Sequence, residues 1–353
     1  MAQIDSYLNE VMEKRGSDLH FIAGDPPRIR LYGDISPLRA ERLAPETVKQ
    51  ALYEIMPKPA LDRFEAKDGA DFAYSMPERG RFRVNVMRQV NGMGAVFRAI
   101  PSKALTMDEL KLPESVRQLS RANNGLILVT GKTGSGKSTT LAAMIDDINR
   151  RVKGHILTIE DPIEFVHERK SCLISQREIG VHAPSFAAAL HSALREDPDV
   201  ILVGELRDLE TMSIAVTAAE MGILVMGTLH TNGAAPTVDR MVNAFPSDKQ
   251  SHVRTMLSTS LRGVVSQQLL QKADKSGRVA ALEILVNTPA AGNLIRQGKL
   301  DQLENTMQAG GAFGMRTMDS AIQQLLDSRQ ITGKEAYKKA INKTRFEEFK
   351  DAG

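Results

Sequence analysis

Apolar and polar residues alternate over RFRVNVMRQV, residues 81–90, where Phe82, Val84 and Val86 stand against Arg81, Arg83 and Asn85. A period of two predicts a half-exposed strand. The short runs DLHFI (18–22), RIRLY (28–32), DFAYS (71–75) and AVFRAI (95–100) read alike, and NGMG (91–94) before the last predicts a hairpin. Residues 3–14 place Ile4, Tyr7, Leu8 and Val11 on one side of a helix. The helix candidate TVKQALYEIM (47–56) and the PKPALDRFE stretch fall between the strands. Residues 1–98 are therefore expected to form a small α+β domain with a mainly antiparallel sheet.

The rhythm changes after Pro101. The polar segment PSKALTMDEL suggests a linker over 99–110. Beyond it come continuous apolar runs: GLILVTG (125–131), HILTIED (155–161), DVILVGE (199–205) and ILVMGTL (223–229). Helical segments such as TLAAMIDDINRRV space them, which predicts a buried parallel sheet over 111–286. From about 287 to 353 the chain reads as all helix, with TPAAGNLIRQGK, RTMDSAIQQLLDSR and GKEAYKKAINK as candidates. The fold class is α/β, in two domains.

Composition narrows the classes. A chain of 353 residues is long enough for two cores, and 42% apolar with 25% charged residues is globular usage. A net charge of +3 announces no nucleic-acid footprint. No run approaches the roughly 20 apolar residues that span a bilayer, and the polar N-terminus lacks the core of a signal peptide. Cys172, the single cysteine, excludes a disulfide framework and a four-cysteine zinc site. A cytoplasmic protein is expected, without nucleic acid and without direct membrane insertion.

Gly131-Lys132-Thr133-Gly134-Ser135-Gly136-Lys137-Ser138 fits the phosphate-loop pattern GxxxxGK followed by Ser or Thr, between an apolar strand and an amphipathic helix. The glycines let backbone N–H groups approach an anion, and the helix N-terminus adds partial positive charge. Lys137 is expected on the β- and γ-phosphates of ATP and Ser138 on Mg²⁺. Thr139 follows and is expected close to the nucleoside. The next apolar strand ends in Glu160, Asp161 and Glu164, three carboxylates that repel one another unless a cation or water sits among them. Glu164 is the candidate general base for the attacking water; Asp161 and Glu164 are also consistent with capping the next element. In VILVGELRD (200–208) Gly204 occupies the place where such strands usually carry a metal-binding aspartate, and Glu205 follows. TLHTN (228–232) puts His230 at the end of a further strand, where a γ-phosphate sensor would lie.

The blocks GKTGSGKST, TIEDPIEF, ILVGELRD and TLHTNGA, in this order, resemble the Walker A, Asp box, Walker B and His box of the secretion ATPase superfamily. That superfamily drives type IV pili and type II secretion, and the resemblance is to its pilus-retraction branch. GSDLHFIAGDPPRIRLYGDI is similar to the family's first-domain signature, and GMRTMDSAI to its C-terminal helical part. In these ATPases the Walker B strand typically ends in Gly-Glu, so Gly204 fits the pattern. Extension and type II relatives usually carry an extra N-terminal domain and a four-cysteine motif, which a first domain starting almost at Met1 and a lone Cys172 do not match. AAGNLIRQ (290–297) is similar to the AIRNLIRE motif of retraction ATPases and departs from it at Ala291, Gly292 and Gln297. Ile223 stands where relatives often have histidine.

The resemblance implies a PAS-like first domain and a RecA-like P-loop ATPase domain with a C-terminal helical subdomain. It implies a homohexamer with ATP between subunits, peripheral to the inner membrane through a pilus platform protein. Glu205 would orient metal-bound water or support the base. Arg83 and Arg98 match the arginines that first domains of this family supply to a neighbour's site. Arg195, Arg207 and Arg240 are further site-lining candidates, each equally consistent with a local salt bridge. Two alternatives stand beside the pilus motor: a RecA-like nucleic-acid translocase, and a regulatory ATP-binding paralogue with weak hydrolysis.

Overall fold

Alternation of the kind seen over 81–90 builds the first of two sheets in a computed structural model, which describes residues 2–31, 34–76, 80–100 and 104–350. Tyr32, and Pro101, Ser102 and Lys103 of the expected linker, lie outside the described residues. Contacts divide the chain into two units, Met1–Lys103 with Glu164–Val166, and Ala104–Ile163 with His167–Gly353.

The first unit runs α1 (Asp5–Glu13), β1 (Asp18–Ile22), β2 (Arg28–Leu31), β3 (Asp34–Pro37), α2 (Pro45–Ile55), α3 (Lys58–Lys67), β4 (Gly69–Met76), β5 (Gly80–Gln89) and β6 (Gly92–Ile100). Its sheet has the order β3-β2-β1-β6-β5-β4 with every neighbouring pair antiparallel. Leu19, Phe21, Phe82, Val84, Val86 and Phe97 form the core face, packed with Ile4, Leu8, Val48, Leu52 and Phe64 of the helices. The hairpin is tighter than NGMG suggested. Gln89 pairs with Gly92, so the loop is Val90 and Asn91 alone, and Gly92 at φ 122° turns straight into the strand.

The second unit runs α4 (Glu114–Ser120), β7 (Gly125–Thr130), α5 (Lys137–Arg151), β8 (His155–Glu160), β9 (Leu173–Glu178), α6 (Phe186–Ala193), β10 (Val200–Val203), α7 (Leu209–Glu220), β11 (Leu224–Leu229), α8 (Ala234–Asn243) and α9 (Ser247–Ser260). It continues with β12 (Leu261–Gln271), β13 (Arg278–Val286), α10 (Pro289–Gln297), α11 (Leu303–Ala309), α12 (Met318–Asp327) and α13 (Gly333–Lys339). Its sheet has the order β13-β12-β7-β11-β10-β8-β9, parallel except for the β12–β13 pair. The central strands are apolar throughout because both faces are covered. Leu126, Leu128, Ile201 and Val203 pack on one side with α6, α7 and α8, while Ile127, Val129, Val200 and Leu202 pack on the other with α4 and α5.

Three strands depart from the sequence reading. β9 carries Gln176 and Arg177 and shows no apolar run. β12 follows α9 with no residue between them, so the change of period has no turn to announce it. β13 returns antiparallel, which makes the sheet mixed rather than purely parallel. The helix expected through GKEAYKKAINK stops at Lys339, where the N–H groups of Ile341 and Asn342 both donate at 2.8 Å to the Asp319 carboxylate and draw the chain off the helix axis.

Candidate nucleotide site

Strand register gathers the expected residues along one edge of the second sheet. Thr130 of β7 pairs with Leu229 of β11 and with Ser266 of β12, so Gly131, His230 and Gln267 are the next residues on three neighbouring strands. Val203 of β10 pairs with Ile159 of β8 and Gly227 of β11, which sets Gly204 beside Glu160 and Thr228. Ligands bind beyond the carboxyl ends of such strands.

The phosphate loop leaves β7 through Gly131 (φ 138°) and enters α5 through Gly136 (φ 90°), with Gly134 (φ 78°) between them. These are left-handed conformations that only glycine takes without strain. A Cβ on Gly131 would meet the Gln267 carbonyl at 2.3 Å, and one on Gly136 the Gln267 amide nitrogen at 2.6 Å. A Cβ on Gly134 would meet no atom within 4 Å, since that residue faces open space. Lys132, Thr133 and Ser138 are exposed and Thr139 is half-buried. Lys137 is buried, and its Nζ donates to the carbonyls of Gly131 at 2.9 Å and Lys132 at 3.3 Å. Burial pushes its ammonium pKa down, and the negative charge of Glu205 works against that shift. The Ser135 hydroxyl is buried without a hydrogen-bond partner.

At the tip of β10, Gly204 has a steric reason. Its N–H donates to the Ile159 carbonyl at 2.7 Å, and a Cβ there would lie 3.2 Å from that oxygen and 3.3 Å from Glu160 Cα. A side chain at 204 would press on β8, so the carboxylate is carried by Glu205. Its Oε1 lies 3.2 Å from His230 Nε2 and its Oε2 2.8 Å from Arg207 Nε. Arg207 also lies 3.9 Å from Asp161. Glu160 is buried and accepts from the Thr158 hydroxyl at 2.7 Å. Glu205, Arg207, Asp161 and His230 thus come together.

Glu164 is exposed and falls in Glu164–Val166, which groups with the first unit. Arg195 donates to the His191 carbonyl at 3.3 Å, and Arg240 is exposed on α8. Within the first unit Arg83 is exposed, and Arg98 donates from Nε to Asp18 Oδ1 at 2.9 Å. Burial opposes ionisation of Asp18, but hydrogen bonds from Ser17 and Arg98 outweigh it and hold the carboxyl below the usual range.

Residues absent from the motif reading also shape the site. Gln267 donates from Nε2 to the Ser135 carbonyl at 2.6 Å and accepts from the Thr140 hydroxyl at 2.8 Å. On the His230 side, the Gly233 N–H donates to Ser266 Oγ at 2.8 Å and the Ala234 N–H to Glu283 Oε1 at 2.7 Å. Ser266 and Glu283 face each other across β12 and β13. The other oxygen of Glu283 accepts the Met318 N–H at 3.1 Å, so one buried carboxylate caps both α8 and α12. The available signal was polar residues inside apolar runs, SQQ in GVVSQQLL and a lone glutamate in RVAALEILV.

The residues present fit a nucleotide. Three glycine turns, an unpartnered buried hydroxyl and a buried ammonium held only by carbonyls form a cradle for phosphate oxygens. Among the described residues no group of three His, Cys, Asp or Glu could hold a metal ion by itself. Ser138 is the exposed hydroxyl in the first turn of α5.

Comparison with known proteins extends this picture to the whole chain. The family model described as Type II/IV secretion system protein matches residues 1–348. The chain is 52% identical over 324 residues to the type IV pilus retraction ATPase PilT of Pseudomonas aeruginosa, covering 92% of this chain and 94% of that protein. It is 50% identical over 321 residues to a twitching motility protein of Neisseria gonorrhoeae, covering 91% and 86%. A crystal structure of the pilus retraction motor PilT with bound ADP covers 99% of each chain at 43% identity, with a TM-score of 0.91.

Proposed function

This chain belongs to the type II/IV secretion system protein family, and from that premise we propose that it is the ATP-hydrolysing motor of type IV pilus retraction. The observation that carries the reading is the 52% identity to a pilus retraction ATPase over 92% of the chain. The phosphate loop agrees with it at each glycine.

ATP takes the place of the carbonyls on Lys137. A charge-assisted bond from the ammonium to phosphate oxygens is stronger than its bonds to Gly131 and Lys132. It also restores the proton affinity that burial lowers. Loop N–H groups and the start of α5 cradle the phosphates. Ser138 would hold Mg²⁺, which neutralises charge on the β- and γ-phosphates when bound. Glu205, held between His230 and Arg207, is placed to order water beside the phosphates, and His230 to respond to the γ-phosphate. We assign Glu164 as the general base and Arg83 and Arg98 as the groups a neighbouring subunit supplies, Arg98 aimed by Asp18. That assignment requires an oligomer, and we infer the homohexamer that the family resemblance implies. No described helix is long and apolar enough to cross a membrane. The retraction reading assigns receipt of the work to a membrane platform protein, with this chain on its cytoplasmic side.

Complementation tests the proposal. This chain, expressed in a hyperpiliated strain lacking its retraction ATPase, is expected to restore twitching, and its Lys137→Ala form is not. ATP turnover without restored twitching would overturn the retraction assignment while leaving the ATPase intact. Turnover stimulated by DNA would favour the translocase.

A further inference from the structure

The glycine pattern of the phosphate loop does not explain what holds the loop in shape, because a loop with three left-handed glycines has many conformations open to it. The restraint comes from Gln267. Its place on β12 is fixed by the register that pairs Ser266 with Thr130, which sets it beside Gly131. The side chain is buried at 3% exposure and spans the loop. Its amide donates to the Ser135 carbonyl at 2.6 Å, and its oxygen accepts from Thr140 in the first turn of α5 at 2.8 Å. It also stands against both flanking glycines, through its backbone carbonyl at Gly131 and its side-chain nitrogen at Gly136.

One consequence is geometric. In a trans peptide the C=O and the following N–H point in opposite directions. Drawing the Ser135 carbonyl towards Gln267 therefore turns the Gly136 N–H the other way, away from Gln267. We propose that Gln267 is a positioning residue for the nucleotide phosphates, holding the Ser135–Gly136 peptide in the orientation that receives them. It acts through the loop and touches no reacting atom. The Ser135 carbonyl, which can only accept, takes the NH₂ end of the carboxamide, and the Thr140 hydroxyl, donating to the oxygen at the other end, anchors it in that orientation. The inference rests on the ATPase reading only in that the site binds nucleotide; wild-type protein that bound no ADP would sink that reading and not this one alone.

The test measures ADP dissociation constants, ATP KM and kcat, and melting temperature on the full chain. Gln267→Ala is expected to weaken ADP binding and raise KM about tenfold, with kcat at saturating ATP changed less than about threefold. Gln267→Glu keeps the acceptor for Thr140 but opposes a carboxylate to the Ser135 carbonyl, and is expected to bind ADP no better than the alanine form. Thr140→Val, which frees the carboxamide to rotate, is expected to cost about threefold in ADP affinity, and to add nothing in the Gln267→Ala background. Unchanged ADP affinity in the Gln267 variants, with only the melting temperature lowered, would reduce Gln267 to a packing residue and overturn the proposal. Should neither Gln267 variant fold, Thr140→Val decides: weaker ADP binding at an unchanged melting temperature supports the proposal, and unchanged binding refutes it.

Discussion

The phosphate loop and the β12–β13 hairpin lie side by side in one sheet, and they were encoded in opposite ways. The loop is eight consecutive residues whose types announce an anion. The hairpin supplies isolated polar side chains set in apolar strands, and the hydrogen bond from Gln267 to Ser135 joins residues 132 positions apart. The motif marks where the phosphate goes; the hairpin decides whether the motif keeps its shape. Burial presses on an ionisable group in each region, lowering the Lys137 pKa and raising that of Glu283.

Substitutions on the two sides should separate these contributions. The largest effect belongs to the loop: Lys137→Ala should lower ATP turnover at least about 100-fold, because a group that stabilises transition-state charge is lost. A steady-state phosphate-release assay checks it, and a loss under tenfold would remove the loop from the chemistry. Next, Glu205→Gln should lower turnover about 100-fold while ADP affinity, measured by titration, stays near wild type. Equal losses in both would make Glu205 a support of the loop instead. Gly136→Ala crosses the boundary between the regions. It combines a φ of 90° with a Cβ 2.6 Å from the Gln267 amide, and should weaken ADP binding about tenfold. Adding Gln267→Ala should cost less than the two changes summed, since the clash is then relieved; strict additivity would mean the glycine answers to backbone strain alone.

The smallest effect on nucleotide handling belongs to the hairpin, where the change reads on stability instead. Glu283→Gln keeps one acceptor oxygen for two N–H donors, so either Ala234 or Met318 loses its partner, at about 1–3 kcal/mol by chemical denaturation. It also carries a pH signature. Burial raises the folded pKa of Glu283 above its ordinary 4.5, although bonds from Ala234 and Met318 work the other way. The folded state therefore binds more protons than the unfolded one between 4.5 and that raised value. This contribution to stability is full below 4.5 and is lost as pH rises through the folded pKa. Denaturation midpoints across that window should slope less in the Glu283→Gln form, and an unchanged slope would place the titration elsewhere.

The same contrast accounts for what could be read from the sequence. The strands β7, β8, β10 and β11 were legible because burial on both faces makes them continuously apolar. β9 was not, because LISQRE breaks off after two apolar residues, and β12 was not, because nothing punctuates its junction with α9. Within the site, the four strand tips were legible from residue type. Gln267, Ser266 and Glu283 were hidden because their partners are backbone groups of distant elements, which no one-dimensional spacing displays. Arg207 was read as a site-lining residue or a local ion pair, and its 2.8 Å contact to Glu205 is such an ion pair. The absence of an aspartate at 204 looked like a gap from sequence and is a matter of clearance from β8.

The capping of two helices by Glu283 bears on how far the chain can be divided. Leu270 and Ala281 of the hairpin share their core with Met318, Ile322, Ile331, Ala336 and Phe346 of the C-terminal helices. A gene fragment ending at Val286 would contain every nucleotide-binding motif and would still strip the outer side of the strand that holds the loop. It would also leave a buried carboxylate with half its donors. The helical tail is thus part of the ATPase's own foundation, and deleting it to study hydrolysis alone would remove the support being studied.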